Sequence, residues 1–255
     1  MLKVVSFEIN LNEFSENIQI PSRPIPNSFL QSLPISHLHK FSLKTGTSKN
    51  SVDLGETDFS QLSSQSVENF EVYSTNKCKV LNFYKLPINV ISLKFYVYCN
   101  SVIGAAPSSL ESLTILVPYN LKTPVREIIC NCYRLRHFTL GSSYHTVLDN
   151  PELINECSNI PTLNLRGVNH ILTHLESFSL LLLWIDRDDL QVELSKFPSS
   201  LKRFQVSSRM PLGGRLKTIN LSIEDLSRQD LANCKFVTDE GIRIKILKTN
   251  YNGTC

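Results

Sequence analysis

Long apolar stretches are absent from this 255-residue chain; the longest, Leu180 to Ile185, falls far short of the ~20 residues that cross a bilayer. The opening MLKVVSFEINLNEF has only a short apolar run between Lys3 and Glu8, so no secretory leader is read there. Charged residues are scarce at 19%, and Gly (9) and Pro (12) are modest, which argues against a disordered, collagen-like or coiled-coil chain. A formal net charge of +3 is too small to name a nucleic-acid or membrane partner. The seven cysteines are odd in number and show no framework spacing, so reduced thiols and an intracellular location, cytoplasmic or nuclear, are expected.

Reaction motifs are missing too. There is no G-x-S-x-G, no G-K-[ST] phosphate loop and no G-x-G-x-x-G. His170 and His174 are four apart, but no Glu follows His170 as in H-E-x-x-H. Cys130 and Cys132, with His137 and His145 downstream, offer zinc-compatible donors in C-x-C spacing, whereas zinc sites usually use C-x-x-C; two structural thiols are the favoured reading. No catalytic, cofactor or metal residue is assigned, and the chain is read as a non-enzyme without cofactors.

What is present is repetition. Pro87–Phe95, Pro107–Ile115 and Pro198–Val206 align without a gap to P-x-[SN]-[LV]-x-x-[LF]-x-[ILVF]. Ser64–Val72 fits except for its first residue, and Pro34–Leu43 fits with one insertion. The apolar triplet alone recurs at Val4-Phe7-Ile9, Leu135-Phe138-Leu140, Ile160-Leu163-Leu165, Leu175-Phe178-Leu180 and Leu216-Ile219-Leu221. Ile160 lies only 15 residues before Leu175, as Leu201 does before Leu216, so either one member of each pair is not a repeat strand or the turn there is truncated. We number positions in each copy from the first apolar residue of the triplet. The fourth and sixth then point to one strand face, and the first also faces in. One such unit cannot bury its apolar edge alone, so stacked units with parallel strands are expected. The fifth positions should form one exposed polar row: Ser42, Glu71, Lys94, Thr114, Thr139, Ser179, Gln205 and Asn220.

The triplet L-x-x-L-x-L resembles the strand signature of leucine-rich repeats. The proline-led form is similar to FNIP repeats, as is Phe138-Thr-Leu-Gly141. Cys234-Lys-Phe-Val-Thr-Asp-Glu-Gly241 resembles the C-x-x-[IV]-T-D-x-G segment of cysteine-containing leucine-rich repeats. Three residues after the last apolar position, where the family carries Asn or Cys, Asn12 fits but Pro118, Ser143 and Arg209 do not. The resemblance implies an α/β repeat solenoid: an irregular leucine-rich-repeat-like coil over 1–255, with a parallel sheet of short strands and few short helices and loops on the outer face. Helices are expected at Asn150–Glu156 and Ser222–Ala232, both with N-cap signals. Residues 44–63, polar and Gly/Ser/Thr-rich, are read as an exposed excursion.

The expected function is a non-catalytic protein-interaction scaffold whose strand face meets a protein partner through Glu111, Arg136, His137, Glu176, Lys202, Arg203, Gln205 and Lys217. Ser112 belongs to the same surface. From Lys196 to Lys248, 11 Lys and Arg stand against 5 Asp and Glu, so the partner is expected to be acidic at the C-terminal turns. Two alternatives stand beside this reading. One is substrate recognition in a ubiquitin-ligase-type complex, for which no F-box-like segment is read. The other is binding of nucleic acid, or another acidic partner, by the basic turns. No membrane is expected to be involved.

Overall fold

A computed structural model of the chain describes residues 6–10, 20–33, 38–45, 50–64, 67–78, 80–99, 101–116, 123–141, 162–165, 168–181, 189–196, 198–207, 218–225, 234–238 and 243–248. In chain order the N-terminal half contains β1 (Ser6–Asn10), β2 (Ile20–Arg23), α1 (Asn27–Ser32), β3 (Lys40–Thr45), β4 (Asn50–Val52), a 3-10 stretch at Phe59–Ser64, β5 (Asn69–Cys78), β6 (Leu81–Asn82), a 3-10 turn at Phe83–Lys85, β7 (Ser92–Cys99) and β8 (Val102–Ile103). There follow β9 (Ser112–Leu116), α2 (Val125–Ile129), β10 (His137–Gly141), β11 (Thr162–Asn164), α3 (Asn169–Leu172), β12 (Ser177–Leu181), β13 (Asp189–Lys196), β14 (Arg203–Ser207), β15 (Thr218–Asp225), β16 (Lys235–Thr238) and β17 (Arg243–Lys248).

The fold is thus mostly parallel-strand sheets with few short helices, a repeat-like α/β arrangement. One sheet of nine strands runs β1-β3-β5-β7-β9-β10-β12-β14-β16. A second runs β11-β13-β15-β17, and two small pairs join β2 to β4 and β6 to β8. From β10 onward the chain alternates strand by strand between the two larger sheets.

Register in the large sheet keeps equal repeat positions side by side. The fourth positions form the row Phe7, Phe41, Phe70, Leu93, Leu113, Phe138, Phe178, Phe204, Phe236, every pairing parallel. Aromatic neighbours meet ring to ring: Phe41 stacks on Phe70 at 5.4 Å between centroids and Phe138 on Phe178 at 5.4 Å, while Phe178 and Phe204 are tilted and Phe204 meets Phe236 edge-on. Such contacts add to area burial because offset rings satisfy one another's quadrupoles. The nine expected core residues of the strong copies, Val67, Phe70, Val72, Val90, Leu93, Phe95, Leu110, Leu113 and Ile115, are all fully buried. Their strands pair in parallel, Leu93 beside Leu113 and Phe95 beside Ile115.

The motif's proline and serine have defined work at the turns. The Leu110 N–H donates to the Pro107 carbonyl (3.2 Å) and the Leu201 N–H to that of Pro198 (3.0 Å). Ser109 Oγ lies 2.7 Å from the Val90 carbonyl oxygen, and Ser200 Oγ lies 2.9 Å from that of Leu175. The serine of one copy therefore ties down the first residue of the preceding copy. Cys132 and Leu172 stand where the strong copies have proline and accept the same turn bond, from Leu135 and Leu175.

Three expectations are corrected. The exposed excursion expected over 44–63 is not seen over 50–63: Val52, Leu54, Phe59 and Leu62 belong to the core, and Phe59 packs edge-on against both Phe41 (6.1 Å) and Phe70 (5.0 Å); residues 46–49 lie outside the described ones. Ser222 does not start a helix. It lies in β15, where Ile219, Leu221 and Ile223 are fully buried at period two, and that burial outweighs the local capping signal. Asn220 leaves the polar row for the second sheet, opposite Gln191 and Lys245, and Val237 takes its place beside Gln205. The triplets at Leu163 and Ile219 are both second-sheet strands, which accounts for the two 15-residue spacings. The helix expected at Asn150–Glu156 lies outside the described residues, as do Asn12, Pro118, Ser143 and Arg209.

No helix among the described residues is long and apolar enough to cross a membrane.

Candidate functional site

The candidate residues are set in line by a backbone ladder at the leading edge of the large sheet. From His39 to Glu176, each second-position carbonyl accepts two N–H groups from the next repeat, and that of Lys202 accepts one, from Lys235. The Glu111 oxygen takes those of Arg136 (2.8 Å) and His137 (3.0 Å), the Arg136 oxygen those of Glu176 (2.8 Å) and Ser177 (2.9 Å), and the Glu176 oxygen those of Lys202 (2.9 Å) and Arg203 (3.1 Å). The same double bond precedes it at His39, Glu68 and Ile91. Side chains at equal places thus form rows at the inter-strand spacing of about 4.8 Å.

Two neighbouring surfaces result, not one. Glu111, Arg136, Glu176 and Lys202 line an open groove of about 510 Å³ at the leading edge, together with Tyr133, Arg134, Thr173, His174 and Ser200 from the turns. His137, Arg203 and Gln205 lie beyond that lining, on β10 and β14, in the third- and fifth-position rows. Ser112 stands beside His137 in the third row. Lys217 is outside the described residues.

Charges in the groove alternate and pair. Arg134 Nη2 lies 3.0 Å from Glu111 Oε1, Lys202 Nζ 3.0 Å from Glu176 Oε2, and Arg136 Nη1 3.9 Å from Glu176 Oε1. The hydrogen bond and charge of Lys202, with smaller help from Arg136 and His137, hold the Glu176 carboxyl below its ordinary range. The basic character expected near Lys202 is therefore partly neutralised by Glu176. Arg203 in turn donates to Gln205 Oε1 at 2.8 Å.

The open face of the N-terminal strands carries a second cluster that motif reading missed. Glu71 is nearly buried between Lys40 and Lys94, each 2.9 Å away across β3, β5 and β7. Burial pushes its pKa up, but hydrogen bonds from Lys40 and Lys94, reinforced by their charges, outweigh it and keep the carboxyl below its ordinary value. Two residues on, Tyr73 and Tyr96 stack at 4.3 Å with planes 8° apart, and Lys44 Nζ stands 6.0 Å over the Tyr73 ring. Aligning the copies two places past the fifth position would have revealed the row Lys44, Tyr73, Tyr96.

Cys132 is buried at its turn and its thiol pKa is pushed up to about 12, by burial first and then by Cys130. Cys130 lies 3.2 Å from the Glu127 carbonyl oxygen. Both are reduced thiols. Among the described residues no group of three or more His, Cys, Asp or Glu is placed to hold a metal ion; His145 lies outside them.

Comparison with protein-family models, curated proteins and solved structures finds no match to this chain.

Proposed function

We propose that the chain is a leucine-rich-repeat-like solenoid acting as a non-catalytic scaffold, which binds a protein partner across its open strand face. One observation carries the reading: seven consecutive fifth positions, from Ser42 to Gln205, stand in register on one polar face, not exposed as expected but with Ser42 and Glu71 buried and the other five half-buried, and His137 and Arg203 are exposed beside them. Rows of this kind make a poor core and a usable recognition surface, because their side chains can vary without disturbing the packed face.

The partner-binding residues proposed are His137, Arg203 and Gln205 on the face, and Glu111, Arg136, Glu176 and Lys202 at its leading edge, with Lys217 added from the sequence alone. The test is affinity capture from the native cell with wild type and with His137→Glu plus Arg203→Glu. The expected outcome is a defined partner retained by wild type and lost by the double variant, with an unchanged thermal melt. Equal recovery of every partner by both proteins would remove the strand face from the reading.

A further inference from the structure

We propose that the leading edge of the sheet is a self-complementary surface, on which a second copy of this chain docks about a two-fold axis. The groove row reads Glu111, Arg136, Glu176, Lys202 along β9, β10, β12 and β14, and it sums to no net charge. An acidic partner would meet repulsion at two of the four positions, and a basic one likewise. A partner that meets the row without repulsion carries alternating charges, and the chain itself carries them in the required order.

A two-fold axis in the interface plane, perpendicular to the row and between β10 and β12, reverses the row. Glu111 then faces Lys202 of the second copy, and Arg136 faces its Glu176; the other two pairs follow by symmetry. This is the isologous geometry of two-fold dimers, in which one patch serves both subunits. A copy docked in register with its row running the same way would set Glu on Glu and cation on cation.

The turns also meet across this axis. The same axis keeps the turn row on its own side, so Tyr133 lies opposite Thr173 of the second copy, and Arg134 lies opposite its His174. Tyr133 is 53% exposed and supplies an aromatic anchor, the residue type that dominates interface cores. The two cations of the row stay open to a partner despite their internal pairing, with side-chain exposures of 57% at Arg136 and 74% at Lys202, while Glu111 and Glu176 are half-buried.

This inference needs no foreign partner, so its test is separate from that of the scaffold reading: sedimentation equilibrium of the purified full chain. Ionic strength is varied from about 0.01 M to about 1 M, over which the screening length falls from about 30 Å to about 3 Å. The expected result is a reversible dimer that weakens with salt. Glu111→Lys and Lys202→Glu should each weaken it at least about tenfold, by setting like charges opposite one another. Within one chain these two residues bond to different neighbours, Arg134 and Glu176. Recovery of about tenfold or more in the combined variant, relative to either single one, would therefore report contact between copies. If either variant melts early, Arg136→Glu combined with Glu176→Arg decides by the same criterion. A monomer at every concentration, single reversals without effect, or a combination no tighter than its parents would each overturn the proposal.

Discussion

The ring of Phe138 lies 5.4 Å from that of Phe178 with their planes 5° apart, although the two belong to different repeats. Both occupy the fourth position of the triplet, on adjacent strands β10 and β12. Phe178→Ala removes a fully packed ring from this row and should cost about 3–5 kcal/mol. Chemical denaturation would show it as a lower midpoint at unchanged slope.

The two faces of a strand should respond differently. Leu113 is fully buried and Thr114 is half-buried on the opposite face. Leu113→Ala should destabilise by about 2–5 kcal/mol, whereas Thr114→Ala should change little. Equal losses in denaturant melts would mean the faces are wrongly assigned.

Ser109 and Ser200 bind carbonyls of the preceding repeat at 2.7 and 2.9 Å. Ser109→Ala should cost about 0.5–1.5 kcal/mol, the net worth of a hydrogen bond. Ser108→Ala, one residue away and exposed, is the control and should cost nothing measurable in the same melts.

Glu71 contributes to acid sensitivity. Its folded pKa is depressed by Lys40 and Lys94, so its stabilisation is present above the unfolded glutamate value of about 4.3 and is lost as pH falls through the lower folded value. Thermal melts from neutral pH down through this window should show a slope that Glu71→Gln flattens. A variant with the wild-type slope would show that the two lysines do not hold the carboxylate.

The thiols should separate by reactivity. Burial keeps Cys132 protonated at a pKa of about 12, while Cys130 beside it is half-exposed. Mass-resolved alkylation of the folded protein at mild alkaline pH should modify Cys130 well before Cys132. Denatured, unreduced protein should titrate seven thiols in all.

Strand positions of the large sheet were legible because period-two burial is written directly into Val90-Leu93-Phe95 and its copies. The second sheet was not, because Leu216-Ile219-Leu221 carries the same triplet, and a triplet does not encode which layer its strand joins. Residues 44–63 misled through composition: their many polar side chains surround a few that insert, Phe59 above all. At Ser222 a helix-capping signal competed with alternating Ile and Leu, and burial won. Of the site, the charged row followed from repeat alignment. Tyr133, Arg134 and His174 did not, because they sit in turns whose copies lack the proline that marked the motif.

From β5 onward, each strand of the large sheet takes its register from the carbonyl at the second position of its neighbour, not from the segment that connects them. Connection length is thereby released from constraint. Leu38, Val67, Val90, Leu110 and Leu135 follow one another at intervals of 29, 23, 20 and 25 residues, yet their strands align without a slip from the third to the sixth position. A residue inserted in the outer part of a repeat would lengthen a loop and leave every row intact. One inserted between Leu110 and Ile115 would turn Leu113 outward or Thr114 inward, and would carry the change to both neighbouring strands.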